Sequence, residues 1–310
     1  MKQNKFRAVA KNWQLYVLAA PALIVLLLFC YLPMGGLVIA FKDYLPGQGL
    51  FGGKWAQPLF KHFKAFAGYP FFKDIVINTL RISLIGFLNF PLPILFALLL
   101  NEIRSKKAKS FFQILSYAPY FVSVVVVVGL CRLFLEANMD RTGGINKALV
   151  GLGILKEPKK FMESSAWFPW IYNISGLWQG LGWWSITYVA ALVSIDPTLY
   201  EAAKIDGAGR MRCIRHINLP ALVPIMSITL IMTMGGILSV GFEKVLLMQN
   251  QLNFDTSNII STYVYDKTIG AVYKQYSYGT AIGLFNSVIS FILVVIANVI
   301  SKRIGGESFI

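Results

Sequence analysis

Six blocks of apolar sequence dominate the chain: Trp13–Ala40, Ile75–Leu100, Phe111–Leu135, Phe168–Ile195, Ala221–Phe242 and Ser277–Ile300. Each can cross a hydrocarbon core of roughly 30 Å, which takes about 20 helical residues. In lipid every backbone N–H and C=O must find a partner within the protein, so such blocks fold as helices rather than open strands. This covers even the valine run Val124–Val128, which in a soluble protein would suggest a buried strand. Composition agrees, since 56% of the 310 residues are hydrophobic and only 14% are charged, too few to solvate a globule of this size. The first block is not expected to be a cleaved signal peptide, because its apolar run is too long and no small-residue cleavage site follows. The expected fold is all-α: a polytopic membrane protein with six transmembrane helices.

Charge sets the expected orientation. The net charge is +15, but the basic residues lie between the blocks and not on a polar domain, so nucleic acid is not an expected partner. With the N-terminus inside, segments 1–12, 101–110, 196–220 and 301–310 hold 14 Lys and Arg in 57 residues. The outer segments 41–74, 136–167 and 243–276 hold 13 in 100. Inner density is therefore about twice the outer, which by the positive-inside rule places both termini in the cytoplasm. Arg104, Lys106, Lys107 and Lys109 form the sharpest inner cluster, while Lys156, Lys159 and Lys160 make one outer loop basic as well.

Other features read as architecture. Cys30 and Cys131 fall inside blocks and Cys213 in an inner segment, as small buried residues; His62 and His216 lie on opposite sides, so no metal site is expected. Prolines recur in or beside blocks, and Pro91 with Pro93 is expected to bend the second span. Gly176 and Gly180 form a Gly-x-x-x-Gly pair that permits close helix packing. The outer segments are too short for a folded extracytoplasmic domain. One contains the turn Thr142–Asn146 and a short amphipathic stretch, Lys147–Leu155. Trp167 and Trp170 fit interfacial anchors at the start of the fourth span.

The hydrophilic segment Asp196–Pro220 stands apart. Asp196 suits an N-cap and Pro197 the first helical position, and Leu199–Ile205 has high helix propensity. Gly207 and Gly209 should end that helix, and a second, Met211–Ile217, should be closed by Pro220. Two short helices meeting at a glycine elbow make a knob able to enter a groove on a partner. Alternatively, Arg210, Arg212 and Arg215 would suit anionic headgroups.

The segment resembles the EAA loop of binding-protein-dependent ABC transporter permeases: Glu-Ala-Ala, three residues, Gly, nine residues, Ile, one residue, Leu-Pro. Glu201, Ala202, Ala203, Gly207, Ile217, Leu219 and Pro220 match it without a gap. The run Leu199–Ala208, Trp178-Gln179 and the Gly143–Asn146 turn resemble the carbohydrate-uptake branch of that family, of polysaccharide or oligosaccharide type. Unlike the larger maltose-type subunit, the chain has no room for a sizeable outer domain. The resemblance implies the type I importer permease fold. It also implies residues 1–74 as N-terminal tail, peripheral first span and outer loop, a five-helix core at 75–300 with coupling loop 196–220, and a cytoplasmic tail at 301–310.

Function follows from the same resemblance. A multi-pass chain in a bacterial cell membrane would import a sugar, most simply an oligosaccharide, delivered by an extracytoplasmic solute-binding protein. A second permease subunit, expected to form a heterodimer, and two cytoplasmic ABC ATPases would complete it. Glu201, Ala202, Ala203, Asp206, Gly207, Ile217, Leu219 and Pro220 would form the ATPase-coupling contact. The chain itself has no phosphate-binding Gly-x-x-x-x-Gly-Lys-[Ser/Thr] loop, so it is expected to be non-catalytic and to bind no cofactor, with ATP and Mg used by the partner ATPase. Sugars bind through hydroxyl hydrogen bonds and aromatic faces. Tyr172, Gln179 and Trp183, recurring at helical spacing with Gly176, are therefore candidate substrate contacts, together with Tyr117, Tyr120 and Asn286. The same family also serves other solutes, such as phosphorylated polyols. An ion-coupled secondary carrier would need intramembrane carboxylates, and a membrane-embedded enzyme a Ser/His or metal constellation; the blocks display neither.

Overall fold

A computed structural model describes residues 13–49, 52–137 and 142–303. The basic segment 1–12 and all of the expected tail but its first three residues lie outside the described residues. The helices are α1 (Trp13–Phe41), α2 (Lys61–Ala67), α3 (Phe72–Leu88), α4 (Pro91–Glu102), α5 (Lys106–Tyr117), α6 (Val124–Leu135) and α7 (Gly144–Gly151). They continue as α8 (Phe168–Val193), α9 (Pro197–Ile205), α10 (Arg210–Gly236), α11 (Phe242–Met248), α12 (Phe254–Ser257), α13 (Ile260–Thr268) and α14 (Tyr276–Arg303).

Among the described residues, four helical runs are long and apolar enough to cross a bilayer: α1, Phe72–Glu102, α10 and α14. The second comprises α3 and α4. Its interruption falls at Asn89–Phe90, immediately before Pro91, whose missing N–H is harmless at a helix start. The block expected as one span at Phe111–Leu135 is instead broken, its halves bent by 101°. Pro119 sits in a 3₁₀ turn at Ala118–Phe121, and the Ser123 hydroxyl then caps a new helix by accepting from the Val126 N–H at 3.4 Å. The Val124–Val128 run thus opens α6. At 26 residues, about 39 Å long, α8 has the length of a span. Asn173, Ser175, Gln179 and Ser185 make it more polar than the other four.

Two prolines are accommodated in the same way. A π turn at Leu27–Tyr31 precedes Pro33, and another at Ile214–Asn218 precedes Pro220. A proline clashes with the carbonyl four residues back, which is Phe29 or His216 here, and the wider π turn relieves that clash. Pro220 therefore does not close the second loop helix as expected. That helix begins at Arg210 and runs unbroken to Gly236, so the loop is continuous with the fifth apolar block. The same block ends at Gly236, short of the expected Phe242, which starts α11.

The chain divides into two compact units. One comprises residues 1–69 and 264–285. Within it, a two-stranded hairpin (β1 Lys42–Asp43, β2 Lys54–Trp55) leads to α2, whose buried Phe66 meets Tyr278 and Phe285 edge-on. No residue of Trp13–Met34 is buried.

The other unit, residues 70–263 and 286–310, is organised along α8. Near the Phe168 end, a core joins Phe168 and Ile171 to Ile82, Val128, Phe161, Val240, Val245, Met248 and Ile259. Near the Val193 end, Tyr188, Val189 and Leu192 pack with Ile94, Ala97, Leu98, Leu100 and Leu222. The Gly-x-x-x-Gly pair plays a different part from the one expected. Gly176 faces the Lys244 ammonium, and Gly180 faces Trp184 of its own helix. The close approach to α5 falls at Gly182, where a Cβ would stand 2.2 Å from the Ser116 carbonyl oxygen.

Candidate functional site

The Asp196–Pro220 loop is built by local rules. The Asp196 carboxylate accepts the Thr198 N–H at 2.9 Å and caps α9; that bond, with one from the Thr198 hydroxyl, holds the carboxyl below its usual range. At the other end, Ala208 N–H reaches the Ala203 carbonyl at 2.8 Å and Gly207 N–H reaches Lys204 at 3.0 Å. This crossed pair is a Schellman cap, and its αL residue is Gly207, with φ +71°. The Glu-Ala-Ala…Gly spacing thus has a structural cause: Ala203 supplies the carbonyl that the turn after Gly207 closes on.

The loop is held to the rest by few contacts. The Tyr200 hydroxyl donates to Asn218 Oδ1 at 2.6 Å, linking α9 to the π turn of α10, and the Arg210 guanidinium lies 4.0 Å from Glu102 at the end of α4. Burial, with Cys213 and Glu102 nearby, raises the Tyr200 phenol. Glu201, Ala202, Asp206, Gly207 and Pro220 are exposed, while Ala203, Ile217 and Leu219 are half-buried. Apolar side chains stand out as well: Leu199, Ile205 and Met211 are 52%, 87% and 75% exposed. A surface combining these groups with Glu201 and Asp206 is chemically suited to a protein groove.

The candidate substrate contacts separate into groups. Tyr120 and Trp183 stack in parallel, ring centroids 4.4 Å apart, with Phe121 edge-on to Trp183. Gln179 donates to the Val122 carbonyl at 2.8 Å, beside that stack. Tyr117 borders Gly182, where a Cβ would lie 2.8 Å from its ring. One turn or more away along α8, Tyr172 accepts the Gly241 N–H on its hydroxyl at 2.9 Å and the Lys244 ammonium on its carbonyl at 2.9 Å. Asn286, on α14, has a buried Oδ1 without a hydrogen-bond partner. Tyr172, Gly176, Gln179 and Trp183 do line one stripe of α8, but the stripe meets two different elements: α11 at Tyr172 and Gly176, and the Ala118–Phe121 turn at Trp183.

Sequence reading missed several residues. Lys244 was counted with the outer loop charges, yet it is 7% exposed. Asn146 and Asn253, both fully buried, are polar hubs. Asn146 donates to the carbonyls of Leu135, Glu136 and Lys159 and accepts from Lys159 N–H, all at 3.0 Å. Asn253 donates to Met162 and Met248 and accepts from Asn250 N–H and the Ser257 hydroxyl. The sequence signals were slight: an asparagine after Gly143-Gly144 and a lysine beside Val245-Leu246-Leu247.

Helical spans, a capped Glu-Ala-Ala helix and a half-polar central helix define a transport permease, and comparison with known proteins agrees. Residues 89–306 match the family described as binding-protein-dependent transport system inner membrane component, and the chain belongs to that family. It is 42% identical to the polygalacturonan/rhamnogalacturonan transport system permease protein YteP of Bacillus subtilis (strain 168), over 99% of this chain and 94% of that one. It also resembles a chain of a bacterial ABC transporter involved in the import of the acidic polysaccharide alginate. There the TM-score is 0.84 with 36% identity, covering 97% of this chain and 99% of that chain. A second structure of the bacterial alginate transporter, in complex with alginate pentasaccharide-bound periplasmic protein, matches at TM-score 0.84 and 37% identity, covering 97% of this chain and 98% of that chain.

Proposed function

We propose that this chain is one of two permease subunits of an ATP-driven importer in a bacterial cell membrane, taking up an oligosaccharide handed over by an extracytoplasmic binding protein. The observation that carries the reading is the Asp196–Pro220 loop: an α9 helix capped at both ends, followed by a helix that runs without a break into a membrane span. A push on α9 passes through the Asp206–Gly209 elbow, fixed by its Schellman cap, and the Tyr200–Asn218 bond into α10, which has no further break before the span. Two cytoplasmic ATPase subunits, which use ATP and Mg, would receive the paired loops of this chain and of a second, different permease. Glu201, Ala202, Ala203, Asp206 and Gly207 form the contact, and Ile217, Leu219 and Pro220 lie where the loop joins α10. This chain contributes no catalytic group.

In this reading α8 is the fourth of six spans in chain order and completes that number, its polar residues face the path, and both termini lie in the cytoplasm. Tyr120, Trp183 and Gln179 supply aromatic faces and an amide to a passing sugar, with Tyr117, Tyr172 and Asn286 as further contacts. The names of the relatives support a carbohydrate over other solutes. The test is reconstitution with the partner permease, the ATPase and the binding protein in proteoliposomes. ATP-dependent sugar accumulation requiring all components is the expected result; a chain that purifies and transports alone, without an ATPase, overturns the reading.

A further inference from the structure

Lys244 is a buried cation with no carboxylate paired to it among the described residues. Its ammonium donates to the Tyr172 carbonyl at 2.9 Å and lies 4.8 Å from the centre of the Tyr172 ring. Both partners are neutral. Among the described residues no carboxylate comes within ion-pair distance of it, whereas Lys160 is paired with Glu163 at 3.0 Å. A buried ammonium without a counter-charge is costly, and such groups in a membrane protein mark places where a charged ligand passes.

Two glycines make room for this lysine–tyrosine pair beside α8. The ammonium stands over Gly176, where a Cβ would be 3.3 Å from Nζ. Gly241 likewise leaves room for the Tyr172 hydroxyl, where a Cβ would be 3.0 Å away. Gly176 shares its face of α8 with Gln179 and Trp183, so the cation heads the stripe already assigned to sugar contacts. A lysine ammonium has three donors, and one is used by the Tyr172 carbonyl.

We propose that Lys244 recognises the substrate's carboxylates, making this a path for an anionic oligosaccharide built from uronate-type sugars. The proposal rests on the importer reading and adds to it a specificity-determining residue and a substrate charge. Tyr172 is the positioning residue, holding the ammonium through its carbonyl and ring.

The test uses the complete reconstituted importer and two ligands: a uronate oligosaccharide and the same oligosaccharide with its carboxyls reduced to alcohols. The readout is the ratio of their uptake efficiencies, which cancels any loss common to both. In Lys244→Gln the ratio of acidic to reduced uptake should fall at least tenfold relative to wild type, and in Lys244→Arg it should stay within twofold. Lys244→Met, which keeps an apolar stem in the buried site, replaces Gln where that variant does not assemble. An unchanged ratio in the neutral variants overturns the proposal while leaving the importer intact. So does failure of both neutral variants to assemble, which would make the charge structural. Wild type that accumulates neither sugar with ATP defeats the importer reading itself, and the proposal with it.

Discussion

Two polar regions flank the ends of α8 and are built on opposite plans. At the Phe168 end, short segments with little regular structure are fixed from within: Asn146 and Asn253 have no exposed surface, and each satisfies several backbone groups. At the Val193 end, α9 has no buried residue and only Asn218 is buried in the π turn that follows. The first region owes its shape to this chain alone. The second displays Leu199, Ile205 and Met211 to whatever completes it. A region saturated internally resists substitution through stability; one left open should respond through association.

The sharpest way to break that contrast is at Asn146. Asn146→Leu removes every hydrogen bond of the amide at a site with no exposed surface: the Leu135 carbonyl and the Lys159 N–H lose their Asn146 partner, while the carbonyls of Glu136 and Lys159 keep only the N–H groups of Gly143 and Phe161. An unsatisfied buried polar group costs about 1–3 kcal/mol, so the two together should cost about 2–5 kcal/mol. The expected result is a large fall in folded yield and detergent thermal stability. A stable variant with lost ATPase binding would reverse the roles of the two regions.

At the loop the order of effects should invert. Gly207 adopts φ +71° and a Cβ there meets open space within the chain, so Gly207→Ala carries only backbone strain, about 1–2 kcal/mol. Thermal stability should drop slightly, while ATPase co-purification and ATP-dependent uptake fall at least tenfold, because the elbow presents the contact surface. Should uptake track stability instead, the loop would be an internal element like the Asn146 region.

These two sites also explain what the sequence disclosed. The α9 helix was legible because its caps are local: Asp196, Pro197 and Gly207 act on groups within a few residues of themselves. The break between α5 and α6 was hidden by continuous hydropathy, although Pro119 and Ser123 carry the signals of a stop and a start. Pro220 misled because a π turn, invisible in composition, absorbs its clash. Asn146 and Lys244 were illegible for another reason. Their roles depend on carbonyls at Leu135, Lys159 and Tyr172, brought close only by tertiary packing. A polar residue near a span end looks solvated until that packing is known.

A smaller effect is expected at the brace between the two loop helices. Tyr200→Phe removes the 2.6 Å bond to Asn218 Oδ1, and Asn218 Nδ2 already lacks a partner, so both ends of that amide are left bare. The loss of one such bond should cost about 0.5–1.5 kcal/mol. Hydrogen exchange should rise over Pro197–Ile205 and stay unchanged at Asn146. Equal protection in the variant would mean that α9 is held by its caps alone.

The smallest effect concerns acid. Thr198 holds the Asp196 carboxyl below its usual range, through its backbone N–H first and its hydroxyl second. A depressed carboxyl stabilises the folded loop above the ordinary carboxylate range, and that contribution is lost only as pH falls through the depressed value. Between pH 8 and 5 the cap therefore stays ionised and should add no pH dependence to ATPase association. Asp196→Asn retains an accepting oxygen and should follow the wild-type profile over that interval. Asp196→Ala, lacking one, should weaken association evenly across it. A wild-type profile that fell between pH 6 and 5, and flattened in Asp196→Asn, would show that the carboxylate's charge faces the partner. Its role as an N-cap would then not account for the loop's response.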